Sequence, residues 1–150
     1  MRTSILKPII LITEGRSDAP IICSLLNTGG RRVYMVPAGG YMRIASTIRT
    51  QYLMNGDRYY YIAAFDSDSD IPSDREERLV MISNLSKANY HQNQIGVFCF
   101  RENLEKELGI SIDIKKNREA LIRFVEENKY QMMQCDTIRE IQRFIDGLNE

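Results

Sequence analysis

Four short runs of mostly consecutive apolar residues, Ile9 to Thr13, Arg32 to Val36, Tyr59 to Phe65 and Ile95 to Phe100, constrain this chain more than any other feature. Each is about one strand long and none alternates cleanly in polarity, the pattern of strands buried on both faces of a parallel sheet. The segments between them carry helical signals. Ser17 to Leu26 has Pro20 where a first turn tolerates it, with Gly29 and Gly30 to close the helix. From Tyr41, the apolar Ile44, Ala45, Ile48 and Tyr52 recur at helical spacing and predict a second helix with one face on the sheet. Ser73 and Glu76 in "SDRE" match a capping box, which predicts a third helix to about Asn89 with Leu79, Ile82 and Leu85 inward. "RENLEKELG" predicts a short helix stopped by Gly109, and two amphipathic helices are expected around Asn117 to Lys129 and Thr137 to Leu148.

Strand and helix therefore alternate, which predicts an α/β, Rossmann-like domain with about four mainly parallel strands and helices on both faces. The expected organisation is one domain over 1–150, with a core over about 9–108 and a C-terminal helical extension over about 113–149. With 150 residues the chain can bury a core without staples. Its 20 Lys+Arg balance 20 Asp+Glu, so a polyanion would have to be held by a local basic patch, a metal or another protein. The opening "MRTSILKPIILIT" is interrupted by Lys7 and Pro8 and is followed by Glu14, which argues against an export signal. No apolar run approaches the ~20 residues of a membrane span. The three cysteines, Cys23, Cys99 and Cys135, show no CxxC spacing and read as buried thiols of a reducing compartment. A cytoplasmic location without membrane attachment is expected.

In parallel sheets ligands bind beyond the carboxyl ends of the strands. Acidic residues cluster at those positions here. "EGRSD" follows the first strand with Glu14 and Asp18, "DSDSD" follows the third with Asp66, Asp68 and Asp70, and "RENLEKE" follows the fourth with Glu102 and Glu105. Mg²⁺, a hard cation usually held by one or two carboxylates and substrate phosphate oxygens, suits such a set. Asp66 and Asp68 would point the same way if the loop starts extended. Glu14 is a further ligand or a general base. Gly15 leaves room for a phosphate, Arg16 is a candidate phosphate contact, and "AGGYMR" places Gly39, Gly40 and Arg43 at a helix start that suits a phosphate oxygen.

Plainer roles stand beside these. Asp18 and Ser17 are equally suited to capping a helix, Glu102 and Glu105 to facing solvent, and His91 to a surface loop. The tyrosines Tyr59 to Tyr61 could stack bases, but strand packing explains them more cheaply. The acidic loop also matches an EF-hand at its acidic positions, but Ile71 stands where that loop needs glycine, Pro72 follows it, and a strand precedes it. A haloacid-dehalogenase phosphatase would place the aspartate pair after its first strand, and a receiver domain would need a lysine after a fifth.

"LITEGRSDAPIICSLL" and "IAAFDSDSD", with a glycine turn after the second strand, resemble the two motifs of the Toprim domain over about residues 9 to 108. "EGRSD" with "ENLEKEL" most resembles the OLD-like nuclease group of that family. The resemblance implies a nuclease acting on DNA or RNA with Mg²⁺, or Mn²⁺ in its place. It implies Glu14, Asp66 and Asp68 as catalytic residues and metal ligands, Asp18 and Glu105 (or Glu102) as ligands of a second metal, and Asp70 as a supporting acid. The basic residue that this group carries near the scissile phosphate has no counterpart assignable from sequence. Full OLD proteins carry an ATPase, so a separate ATPase or other protein partner is implied. The other expectation, from a different class, is a non-catalytic metal and nucleic-acid binding module within a larger complex.

Overall fold

The computed structural model describes residues 6–87 and 92–148. In chain order its elements are β1 (Ile9–Thr13), α1 (Asp18–Ser24), β2 (Val33–Pro37), α2 (Ile44–Asn55), β3 (Tyr60–Asp66), α3 (Pro72–Lys87) and β4 (Ile95–Phe100). The short α4 (Leu104–Leu108) and α5 (Ile112–Lys115) follow, then α6 (Arg118–Glu127), α7 (Lys129–Met132) and α8 (Asp136–Asp146). The fold is α/β, and the four strands form one sheet in the order β2-β1-β3-β4. Every pairing in it is parallel: Ile9 stands opposite Val33 and Tyr60, and Tyr61 opposite Ile95.

That order decides where the helices lie. The step from β1 to β2 runs toward one edge and the steps to β3 and β4 run toward the other. Right-handed crossovers then send α1 to one face and α2 and α3 to the other. The two apolar layers agree. Ile9, Leu11, Tyr60, Ile62 and Phe100 pack on one face with Ile22 of α1, Leu104 of α4, Val125 of α6 and Ile138, Ile141 and Ile145 of α8. Ile10, Ile12, Tyr61, Ala63, Phe65 and Val97 pack on the other with Ile44, Ala45 and Ile48 of α2 and Ile82 of α3. Successive strand residues alternate between the layers, as the pleat requires. The C-terminal helices thus cover the first face, which sequence left undecided. The crossovers diverge between β1 and β3, so the crevice at the carboxyl ends of these two strands is the switch point of the sheet.

Several expectations are corrected. β2 is an edge strand with Tyr34 45% and Met35 50% exposed, because no strand among the described residues pairs with its outer side. α3 starts at Pro72, a favoured first helical position, so Ser73 lies inside the helix and makes no capping box. Ser69 takes part of that role: its hydroxyl accepts from the Ile71 amide and donates to Asp74 Oδ2. Leu85 is exposed, whereas Leu79 and Ile82 point inward as expected. α5 is an additional turn of helix, started by Ser111, whose hydroxyl accepts from the Ile114 amide. α4 follows the expectation, with Asn103 capping its start and Gly109 (φ 75°) ending it in the left-handed conformation. His91 and the end of the third helix at Asn89 lie outside the described residues.

Candidate functional site

Glu14 leaves the sheet immediately after β1 and is held from both neighbouring strands. Its carbonyl oxygen accepts from the amides of Gly39 (2.9 Å) and Gly40 (3.1 Å), in the turn after β2. Its carboxylate Oε1 accepts from the Asp66 amide (2.9 Å) at the end of β3. Gly39 and Gly40 have φ of 86° and 134°, values at which a side chain is strained. These glycines therefore position Glu14, and their amides are engaged there instead of standing free for a phosphate. Gly15 has open space where a Cβ would stand, and Thr13 Oγ1 donates to its carbonyl (2.7 Å).

Asp66 is half-buried, and its Oδ1 accepts from the Leu104 amide (2.9 Å) at the start of α4. The loop after it is turned, not extended. Asp68 has φ 55° and Glu102 φ 54°, and the Asp68 amide donates to the Glu102 carbonyl (2.7 Å), tying the loop to the one after β4. The two aspartates consequently do not share a direction. Asp68 is exposed and pairs with Arg78 of α3 (3.3 Å), whose guanidinium also donates to the Asp66 carbonyl (3.0 Å). That guanidinium lies 3.9 Å from the centroid of the Tyr41 ring, a cation–π contact that fixes it. Asp70 is exposed and lines a hollow with Arg75, Glu102 and Lys106; Glu102 is itself paired with Lys106.

Glu105 turns inward from α4 and pairs with Lys115 of α5. Asp18 stands in the first turn of α1, and Ser17 before it makes no capping bond. The protonation equilibria join these acids into one group. The Asp66 carboxyl is pushed up to about 7 by burial, against the pull of the Leu104 amide and with further push from Asp18, Glu14 and Glu105. Asp18 is pushed up to about 6 by burial and by Glu105, with Lys115 opposing. Glu14 is raised by burial, opposed by the Asp66 amide, and feels Asp68 and Arg78 on one side and Glu105 on the other. Burial and mutual repulsion both disfavour the ionised form.

The structure thus gathers Glu14, Asp18, Asp66 and Glu105, sets Asp68 beside them against Arg78, and leaves Asp70 and Glu102 to one side. Arg16 and Arg43 are exposed, Arg43 lying against Gly39. Among the described residues no three of the acids already stand in a metal-coordinating group. Sequence reasoning missed Arg78, Tyr41 and Lys115. Arg78 has a weak signal in its place within the helix that follows the acidic loop; Lys115 has none, because its position depends on the unanticipated α5.

Fold and site together define an α/β protein with a crowded carboxylate group at the switch point of a parallel sheet. No family model and no curated protein matches the chain. Among solved structures, the C-terminal region of the Burkholderia pseudomallei OLD protein aligns with a TM-score of 0.49 and 14% sequence identity, over 91% of this chain and 96% of that one. A likeness at that level carries no argument about the site. Among the described residues no helix is long and apolar enough to cross a membrane.

Proposed function

We propose that the chain is a Toprim-type phosphodiester hydrolase that cleaves DNA or RNA with a divalent cation, Mg²⁺ or Mn²⁺. The observation that carries this reading is the joining of Glu14 to Asp66 across the switch point, with Asp18 and Glu105 close enough to favour the protonated form of Asp66. Buried acids that repel one another gain from an added cation, and their hard oxygen donors fit Mg²⁺ in kind. Glu14, Asp66, Asp18 and Glu105 would hold the cation, with Asp68 within the same loop. When bound, it supplies Lewis acidity to the scissile phosphate and acidifies an attacking water.

The chain's own residues do the rest. The Gly39 and Gly40 amides and the Asp66 amide keep Glu14 at the crevice, where its raised affinity for a proton suits it to accept one from water. Lys115, paired with Glu105, would meet the negative charge of a phosphate on leaving that pair, the part for which sequence offers no residue. Arg78, on the Tyr41 face, neutralises Asp68.

The absence of a pre-assembled group of three acids among the described residues favours a second reading, a module that binds metal and nucleic acid but completes its site only with a protein partner, such as a separate ATPase. Cleavage of labelled single- and double-stranded DNA and RNA, with Mg²⁺ or Mn²⁺, separates the two. The first reading expects cleavage by the isolated chain and its loss in Glu14→Ala and Asp66→Ala; cleavage surviving both substitutions refutes it. Metal-dependent binding without cleavage supports the second. A melt at pH 8 with millimolar Mg²⁺ tests the metal alone, since a ligand of the folded state raises the midpoint.

A further inference from the structure

A cavity of about 570 Å³ runs between α1 and the α5–α6 segment. Four cations line it, Arg16, Lys115, Lys116 and Arg118, against the single acid Glu126, over the apolar side chains of Ile21, Leu121, Ile122 and Val125. In a chain with no net charge this is a local concentration of positive charge. Among the described residues Arg16, Lys116 and Arg118 enter no ion pair, and all three are exposed. Lys115 lines the cavity and also pairs with Glu105, and Ser17 on its wall adjoins Asp18. The groove therefore shares Lys115 as a border with the carboxylate group.

We infer that this groove is the track for a single polynucleotide strand leading toward the acidic site, with Arg16, Lys116 and Arg118 on its phosphates and the exposed Ile122, beside Leu121, against its unpaired bases. The inference rests on the hydrolase reading for its direction. Cations that neutralise phosphates supply affinity without sequence preference. The apolar floor selects the form of the nucleic acid. A duplex hides its base faces and offers a rigid polar backbone, which would leave Ile122, 53% exposed, against water. A single strand turns its bases outward onto apolar surface. An acidic peptide would also meet the charges, but the continuity with the carboxylate group through Lys115 favours a phosphodiester.

The test is fluorescence anisotropy of the full chain with labelled oligothymidylate, oligouridylate and a DNA duplex, in EDTA. Arg16→Ala/Lys116→Ala/Arg118→Ala is compared with the charge-matched Arg49→Ala/Lys129→Ala/Arg139→Ala, whose residues are exposed and lie off the groove. The expected result is single-strand binding at least ~10-fold weaker in the groove variant, a slope of log K against log salt smaller by about 2, and a loss below ~2-fold in the control. Ile122→Glu, at an exposed position, weakens the strand without lowering the thermal midpoint. Equal losses in the two triple variants, preference for the duplex, displacement of the strand by polyglutamate, or no strand binding by the unsubstituted chain each overturns the inference. Strand binding by a chain that cleaves nothing supports the groove and refutes only the catalytic reading, whereas undiminished cleavage of single strands by the groove variant overturns the groove alone.

Discussion

Asp66→Asn should stabilise the metal-free protein at pH 8 while abolishing cleavage. The Asp66 carboxyl lies at about 7 instead of the ordinary 3.8, first because it is buried and then because Asp18, Glu14 and Glu105 surround it. A carboxyl that binds its proton more tightly in the folded state gives its full contribution below about pH 4, and that contribution is lost as pH rises through about 7. The displacement corresponds to roughly 4 kcal/mol, which the partial exposure of the residue and solvent screening reduce to about 2 kcal/mol. Asparagine is uncharged at both ends of this range, and its amide oxygen can still accept from the Leu104 amide. At pH 8 in EDTA the variant should melt roughly 4–8 °C above the unsubstituted chain, given about 2–4 °C per kcal/mol for a chain of this size. At pH 4 the two midpoints should nearly coincide. Added Mg²⁺ should narrow or reverse the gap at pH 8, because it binds the intact acid group more tightly. A variant less stable than the parent at pH 8, or equally displaced at both pH values, would show that Asp66 is not held against charge repulsion.

Lys115→Met should act in the opposite direction: it removes the charge that lowers the Asp18 protonation and leaves Glu105 unpaired. A loss of about 1 kcal/mol is expected in urea melts at pH 8, shrinking at pH 4 where Asp18 is protonated, and a loss equal at the two pH values would assign the side chain a packing role only. Ile141→Ala, in a fully buried residue of α8, should cost about 3 kcal/mol in the same melts; a cost below 1 kcal/mol would mean that α8 is not part of the cover of the sheet.

Three of the strands and the inward side of α2 were legible because they follow from patterns internal to each segment: a continuous apolar run for β1, β3 and β4, and the spacing of Ile44, Ala45 and Ile48 for α2. β2 misled, since "RRVYMV" is apolar enough for a central strand and only the pairing order reveals an edge. The short α5 was illegible because "SIDIKK" is too brief for a helical period to show. The same division holds at the site. Strand-end placement found Glu14, Asp66 and Asp18, all of which the structure brings together. The geometry of Asp68 was not legible, because the pleat governs direction only while the backbone stays extended, and at Asp68 it enters the left-handed region. Gly39 and Gly40 were read as a phosphate cradle from their place before a helix, but a carbonyl from the neighbouring strand takes both amides.

The cations missed by sequence explain how the metal-free chain tolerates its acids. Four carboxylates in one crevice repel each other, and two are pushed to about 6 and about 7 without being driven apart. Lys115 stands against Glu105 on the α5 side and Arg78 against Asp68 on the α3 side, each from the helix that carries it ten residues further along the chain. A cation placed by its own element can leave a carboxylate without unfolding the strand end that carries the acid. Glu14 and Asp66 differ in this respect, since backbone amides hold them and stay in place when the charge nearby changes. The arrangement therefore separates acids fixed by backbone amides from acids paired with side-chain cations; on the proposed reading, an incoming divalent ion would compete with those cations at Asp68 and Glu105 and would meet Glu14 and Asp66 already held. The neutral total of 20 positive and 20 negative groups conceals this segregation: net charge sums over the chain, whereas the fold sorts Arg16, Lys116 and Arg118 to one side of the acids they balance.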